Sequence, residues 1–220
     1  MKLKSSFSNL LSDAGQMVIL SILWAVCSLP MFTAGPASAA LYYCVVKVVR
    51  RDLGNALTDF FRVFKENFGQ GVWYTMIFLS YYAVIFYFWL TRYSSLSSFS
   101  ADYFFYVLVS FAVFGSVFLL WCFPILSRFD NKGAAFFRFL LYISVRYIHF
   151  TIIFGMLFLA SVYICVSNSA FLIIIPAVYD LIISFMIEPV FRAHSNKDNK
   201  MNYNMWYSPY AGEDITDDKS

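Results

Sequence analysis

Residues 29–52 read LPMFTAGPASAALYYCVVKVVRRD. This stretch is apolar, contains two helix-breaking signals and has basic residues near its C-terminal end. The breakers are Pro30 and the Gly35-Pro36 pair. Proline lacks a backbone N–H and clashes with the preceding turn, so a helix has to end or kink there. Its fixed φ also suits the first turn of a new helix. The stretch therefore predicts a helix, a tight reversal and a second helix.

The composition of the whole chain is that of a membrane protein. The 220 residues are 60% hydrophobic and 21% aromatic, and only 13% are charged, which is unusual for a soluble domain. Charge-free apolar runs cover 14–34, 70–90, 103–127 and 150–167, and 170–187 carries Asp180 alone. About 20 helical residues cross the ~30 Å hydrocarbon core of a bilayer. We expect an all-α, polytopic membrane bundle of about six helices.

Basic residues occur in clusters that uncharged stretches separate, which is the positive-inside pattern. The clusters are Lys2 and Lys4; Lys47, Arg50, Arg51, Arg62 and Lys65; Arg128, Lys132 and Arg138; and Arg192, Lys197, Lys200 and Lys219. Both termini are therefore predicted to be cytoplasmic. The return leg of the first hairpin, 37–49, is only about 20 Å long as a helix. It is either a short, tilted span or a re-entrant hairpin.

We predict a membrane helical domain over 1–193 and a polar cytoplasmic tail over 194–220. The predicted helices cover about 14–33, 36–51, 70–91, 103–127, 134–167 and 170–191. Residues 53–68 have the apolar spacing of a one-faced helix, whose other face carries Asn55, Asp59, Arg62, Lys65 and Glu66. This amphipathic helix would lie in the plane of the cytoplasmic interface or pack on the protein's own bundle.

Two parts of the sequence follow a similar pattern. Phe60-Phe61-Arg62 and Phe136-Phe137-Arg138 are each followed by two apolar runs, and a proline, Pro124 or Pro189, lies near the end of the second run. This suggests two helix-hairpin units in the same orientation, a parallel repeat of the kind that some transporters contain.

The motifs of common enzyme classes are missing from the sequence. It contains no phosphate loop, His-Glu-x-x-His or nucleophile elbow and only two histidines. We expect a non-enzymatic protein without cofactor or metal. The net charge of +3 is too small to indicate nucleic-acid binding. The four cysteines lie in apolar runs without paired spacing, so we expect no disulfide.

Ionisable side chains at membrane depth are the remaining candidates, because burying them is costly. They are Arg146, His149, Asp180 and Glu188. Folding the last two helices about residues 168–169 places His149 opposite Glu188, with Arg146 one turn away, which predicts a structural ion pair. Asp180 has no evident charged partner and lies about 16 Å from the end of its helix. It could cap a helix break, contact a polar group on another helix or subunit, or take part in transport.

One set of residues resembles the YesL family of bacterial membrane proteins, whose function is unknown. The motif comprises a Pro-x-x-Thr-x-Gly-Pro-Ala turn and a later Phe-Lys-x-Asn-Phe segment. Its residues here are Pro30, Thr33, Gly35, Pro36 and Ala37, then Phe64, Lys65, Asn67 and Phe68. The resemblance implies a Gram-positive-type bacterial plasma membrane and association with carbohydrate ABC importers. It supplies no catalytic residue.

Two functional hypotheses follow. The first is a non-enzymatic accessory membrane protein of ABC-type carbohydrate import, with the lipid bilayer and the importer's permease subunits as partners. The alternative is a small secondary transporter or channel that acts through its own helical bundle. A membrane enzyme is the weakest hypothesis.

Overall fold

The computed structural model describes residues 2–50, 55–92, 98–129 and 133–194, and these ranges contain helices and no strand. The all-α prediction is confirmed. The predicted tail falls outside the described residues, apart from His194. The helices are α1 (Lys2–Cys27), α2 (Ala34–Cys44), α3 (Ala56–Glu66), α4 (Phe68–Arg92), α5 (Ser98–Arg128), α6 (Ala134–Arg146), α7 (Ile148–Ser167) and α8 (Ile175–Ala193).

The chain reverses between α1 and α2 through a 3₁₀ turn at Met31–Thr33. The Thr33 hydroxyl stabilises this reversal by donating to the Cys27 carbonyl at 2.6 Å and to the Pro30 carbonyl at 2.7 Å. The break comes earlier than predicted, because α1 ends at Cys27 rather than near 33. Pro36 lies inside the first turn of α2, where its missing N–H costs no hydrogen bond.

α2 lies at the centre of the bundle and continues as a π-helical turn, Val45–Val49. It packs against α1, α3, α4, α5 and α8, and 72% of the apolar segment Met31–Val49 is buried. Three of its four alanines, Ala37, Ala39 and Ala40, are fully buried. Small side chains allow neighbouring helices to approach closely.

The backbones of α2 and α4 lie very close together where the two helices cross, at Gly35 and Gly71. A Cβ atom on Gly35 would lie 2.7 Å from the Gly71 carbonyl oxygen, and one on Gly71 would lie 2.8 Å from Cδ of Pro36. Real Cβ atoms do not approach so closely, so this crossing requires glycine on both helices.

α3 and the start of α4 run antiparallel to α2. Lys47 pairs with Asp59, Tyr43 with Arg62, and Gly35 with Gly71. In this register the reversal beside Gly35 lies near Thr75 of α4. α4 continues to Arg92, so it extends about 25 Å beyond that level.

Within the described ranges, four segments are long and apolar enough to cross a membrane: Met31–Val49, Phe68–Thr91, Tyr103–Arg128 and Ile148–Ser167. This indicates an integral membrane protein. The predicted count of about six spans is not established, because α1 contributes a shorter apolar stretch, Asp13–Cys27, and α8 is not in this set. Met31–Val49 is itself in this set, and the choice between a short, tilted span and a re-entrant hairpin for 37–49 stays a prediction.

Two predicted elements need correction. The helix over 134–167 is two helices that break at Tyr147, which has φ −113° and ψ 38°; no proline or glycine marks the site. The helix predicted over 170–191 is preceded by a 3₁₀ segment, Ser169–Ile173, and starts at Ile175. α3 packs along α2, which agrees with the alternative that the helix over 53–68 packs on the protein's own bundle.

The predicted repeat has a structural counterpart in element order. A short helix, a break of one residue and two long helices occur as α3–α4–α5 and again as α6–α7–α8. The breaks fall at Asn67 and Tyr147, and the last helix of each unit contains a proline, Pro124 or Pro189. This order is consistent with a parallel duplication.

Candidate functional site

A partly open cavity of about 500 Å³ lies between α2, α4, α5, α7 and α8. The tip of the α1–α2 hairpin contributes Trp24, Ala34 and Ser38 to its wall. Aliphatic and aromatic side chains form most of the remainder, and no lysine, arginine or histidine lines it among the described residues. The cavity is therefore an apolar site with few polar groups, the usual composition of small-molecule sites.

Asp180 is the charged residue of the cavity wall. It is only 9% exposed, and within the described ranges no hydrogen bond or ion pair joins its carboxyl group to another residue. The first turn of α8 holds it there: Ala177 N–H donates to Ser21 Oγ of α1 at 3.2 Å. The sequence prediction that Asp180 lacks a charged partner on its own hairpin agrees with this geometry.

A second buried acidic group, Glu188, has partners that the sequence did not reveal. Its Oε1 accepts from Arg128 Nε at 3.0 Å, from Arg128 Nη2 at 2.8 Å and from the Tyr42 hydroxyl at 3.1 Å. Glu188 is fully buried, and Arg128 is 7% exposed. The pair joins the C-terminal parts of α5 and α8 to the last turn of α2.

The predicted ion pair of Arg146, His149 and Glu188 is therefore wrong. Arg146 and His149 are exposed. The predicted register of the α7–α8 hairpin holds, since Phe158 and Tyr179, which it places opposite one another, have ring centroids 5.9 Å apart. Glu188 instead faces α2 and α5, on the side of α8 away from Arg146.

A polar stripe on α8 connects the cavity with this ion pair. Asp180, Ser184 and Glu188 follow one another at four-residue spacing, so they lie on one face of the helix. Ser184 is fully buried, and its carbonyl accepts from Arg50 Nη1 at 3.0 Å. Tyr42 completes the connection, because it lines the cavity and donates to Glu188.

A third buried acidic residue, Asp59, forms ion pairs that attach α3 to α2. Asp59 accepts from Lys47 Nζ at 2.8 Å and from Arg62 Nη2 at 2.7 Å, and it is 7% exposed. The sequence placed Asp59 on the solvent face of this helix, which the structure contradicts. Burial lowers the pKa of the Arg62 guanidinium, but the nearby Tyr43 and Asp59 side chains raise it by a larger amount. The pKa of Arg62 is therefore above its usual value.

The residues of the family motif have structural roles around this framework. Pro30 precedes the 3₁₀ turn, Thr33 closes it, and Ala37 is fully buried behind the Gly35-Pro36 crossing. Asn67 ends α3, since its N–H and its Nδ2 both donate to the Val63 carbonyl at 3.0 Å.

The aromatic part of the motif forms a ladder on α3. The ring centroid of Phe64 lies 6.3 Å from that of Phe60 and 5.6 Å from that of Phe68. Lys65 is exposed. The motif residues therefore form the hairpin and attach α3 to it.

Sequence reasoning missed Arg128 and Tyr42. Arg128 was assigned to a cytoplasmic loop, although it ends a long apolar run, a position from which its side chain can turn back into the bundle. Tyr42 carries no sequence signal that separates it from Tyr43. Within the ranges that the structure describes, no three histidine, cysteine, aspartate or glutamate residues are grouped to hold a metal ion.

These features define the class as an all-α integral membrane protein with an internal, ligand-sized cavity. Residues 17–89 match the model of a family described as "Protein of unknown function, DUF624". The matched part covers the α1–α2 hairpin, α3 and most of α4. No curated protein and no solved structure matches the chain.

Proposed function

We propose that this chain is a YesL-type protein of a bacterial plasma membrane that transports a small molecule through its own helical bundle, without catalysing a reaction. The observation that carries the proposal is the cavity with the buried Asp180 carboxyl group in its wall. An intramembrane ionisable residue that faces a cavity is the usual mark of a substrate or ion pathway.

Two further features support transport over a purely structural role. The α1–α2 hairpin, whose tip forms part of the cavity wall, extends along only the first part of α4. Broken or partial helices commonly form transporter sites near the middle of the bilayer. The repeated order of α3–α4–α5 and α6–α7–α8 is also the arrangement in which one unit can move against the other.

Cys165 provides a test that needs no known substrate, because this native thiol lines the cavity. Cys27, Cys44 and Cys122 would be replaced by serine or alanine to leave Cys165 as the single thiol. A membrane-impermeant maleimide would then be added to right-side-out and to inside-out membrane vesicles. A transporter that opens alternately to both sides is expected to react in both preparations.

The outcome that would overturn transport is labelling of Cys165 from one side only, or from neither. Cys122, which is fully buried, gives the matched control: a variant that retains only Cys122 should remain unlabelled in both preparations. Labelling of Cys122 would show that the bundle has unfolded and that reactivity of Cys165 is uninformative.

A second candidate function is the accessory role in ABC-type carbohydrate import. Its support is the outer side of α3, where Leu57 (49%) and Phe61 (45%) are exposed next to Phe68 (42%) at the start of α4. Charged Lys65 and Glu66 are also exposed there. An apolar patch with a charged rim at the end predicted to be cytoplasmic is suited to contact a permease subunit.

Affinity purification from the native membrane separates this role from transport. We expect importer permease subunits to be recovered with the wild-type protein and lost with Phe61→Ser. Phe32→Ser is the matched control, because Phe32 has a similar exposure (46%) in the α1–α2 reversal. Recovery of this protein without permease subunits would exclude a stable accessory role.

A further inference from the structure

We propose that the cavity binds an organic monocation that carries apolar groups, with the Asp180 carboxylate as its counter-charge. The inference rests on the proposed function and deepens it, since it names the class of solute. It follows from the charge, the ring content and the volume of the cavity.

The carboxyl group in the cavity wall has no charged partner. Asp180 is the charged residue among the described residues that line the cavity, and it has no hydrogen-bonded partner within the described ranges. Away from water such a group either takes up a proton or needs an opposite charge beside it. A bound cation supplies that charge, whereas an anion adds repulsion, so the wall selects for cations.

The wall also provides rings at which a cation is stabilised. Trp24, Tyr82, Phe123 and Phe158 all line the cavity, and aromatic faces attract cations within about 6 Å of the ring centroid. The hydroxyl group of Tyr179 is buried without a hydrogen-bond partner. It supplies one polar contact close to Asp180.

An organic cation fits this wall better than a metal ion. Ca²⁺ takes six to eight oxygen ligands, and the wall offers a single carboxyl group with a few hydroxyl groups among apolar side chains. The volume of about 500 Å³ lies in the range of pockets that hold drug-sized molecules. A cation that carries its own apolar groups can use both the charge and the aromatic surface.

Tetraphenylphosphonium is the probe, because it combines one positive charge with four phenyl groups. Its binding to the purified full chain in mild detergent would be measured by equilibrium dialysis, beside triphenylphosphine oxide, a neutral molecule with similar rings. We expect the cation to bind at least about tenfold more tightly than the neutral molecule. Asp180→Asn should remove this preference and leave the affinity for the neutral molecule unchanged.

Two variants serve as controls. Asp180→Glu keeps the negative charge and should retain most of the preference for the cation. Glu66→Gln removes one carboxylate from an exposed site on α3 and should bind both probes as the wild type does. Thermal unfolding in the same detergent establishes that each variant is folded.

Equal affinity of wild type and folded Asp180→Asn for the cation would overturn the inference. It would also be overturned if a phospholipid that co-purifies with the chain occupied the cavity and the cation did not displace it. Either result would make this a site for neutral apolar molecules or for lipid.

Uptake of tetraphenylphosphonium into proteoliposomes separates this inference from the proposed transport. Binding that depends on Asp180 without protein-dependent uptake would uphold the cation site and count against transport. Labelling of Cys165 from both sides without binding of the cation would support transport and count against the cation site.

Discussion

Glu188 is a buried residue that connects α8 with α2 and α5. A single carboxylate oxygen accepts three hydrogen bonds, from Tyr42 and from two atoms of Arg128, and the side chain has no exposed surface. Ion pairs in such surroundings repay the cost of desolvation only when their geometry is good. Removal of the negative charge is therefore more harmful than it would be at the protein surface.

We predict that Glu188→Gln lowers the free energy of unfolding by on the order of 3 kcal/mol. Tyr42→Phe removes only one hydrogen bond to the carboxylate, so its cost should be about 1.5 kcal/mol. Chemical unfolding in detergent micelles measures both. Exposed Glu66→Gln is the control, and a Glu188→Gln variant as stable as that control would contradict the assignment.

At the scale of elements, the contact between α2 and α4 sets the position of the hairpin. Gly35 and Gly71 meet where the two backbones are closest, and the Thr75 side chain lies against Gly35. Phe123 of α5 closes the same space, because its Cε1 would lie 2.8 Å from a Cβ built on Gly35. The crossing leaves no space for a methyl group.

We predict that Gly35→Ala destabilises the protein by about 1–3 kcal/mol, since the added methyl group would overlap atoms of α4 and α5. Gly15→Ala is the matched control: Gly15 lies inside α1 with nothing within 4 Å of the added atom. There alanine should be neutral or stabilise by up to about 1 kcal/mol. Midpoints of thermal unfolding in detergent would reveal the difference, and similar midpoints would disprove the close crossing.

At the scale of the whole molecule, the fold class and the reversal near Pro30 could be predicted, because hydrophobic run length and proline chemistry are local properties. The burial of Asp180 could be predicted for the same reason. The break at Tyr147 could not, since no residue there resists a helix. Both α6 and α7 pack on α5, but α7 also packs on α8, and such tertiary contacts leave no local signal in the sequence.

The partners of Glu188 and Asp59 were missed for a different reason. A hairpin register determines which residues lie at the same level, but it does not determine which face of α8 points toward α7 and which toward α2. That choice depends on how α2 occupies the centre of the bundle. Similarly, the charge of Asp59 suggested a solvent-facing position, whereas Lys47 on α2 makes a buried position stable.

The central position of α2 has a consequence for biogenesis. α2 is synthesised before α3, α4, α5 and α8, which surround it. The nascent hairpin therefore enters the membrane without these permanent neighbours, and its alanine-rich surface and the basic groups of Lys47 and Arg50 meet lipid or the insertion machinery first. The surroundings of α2 are complete only once α8 has been translated.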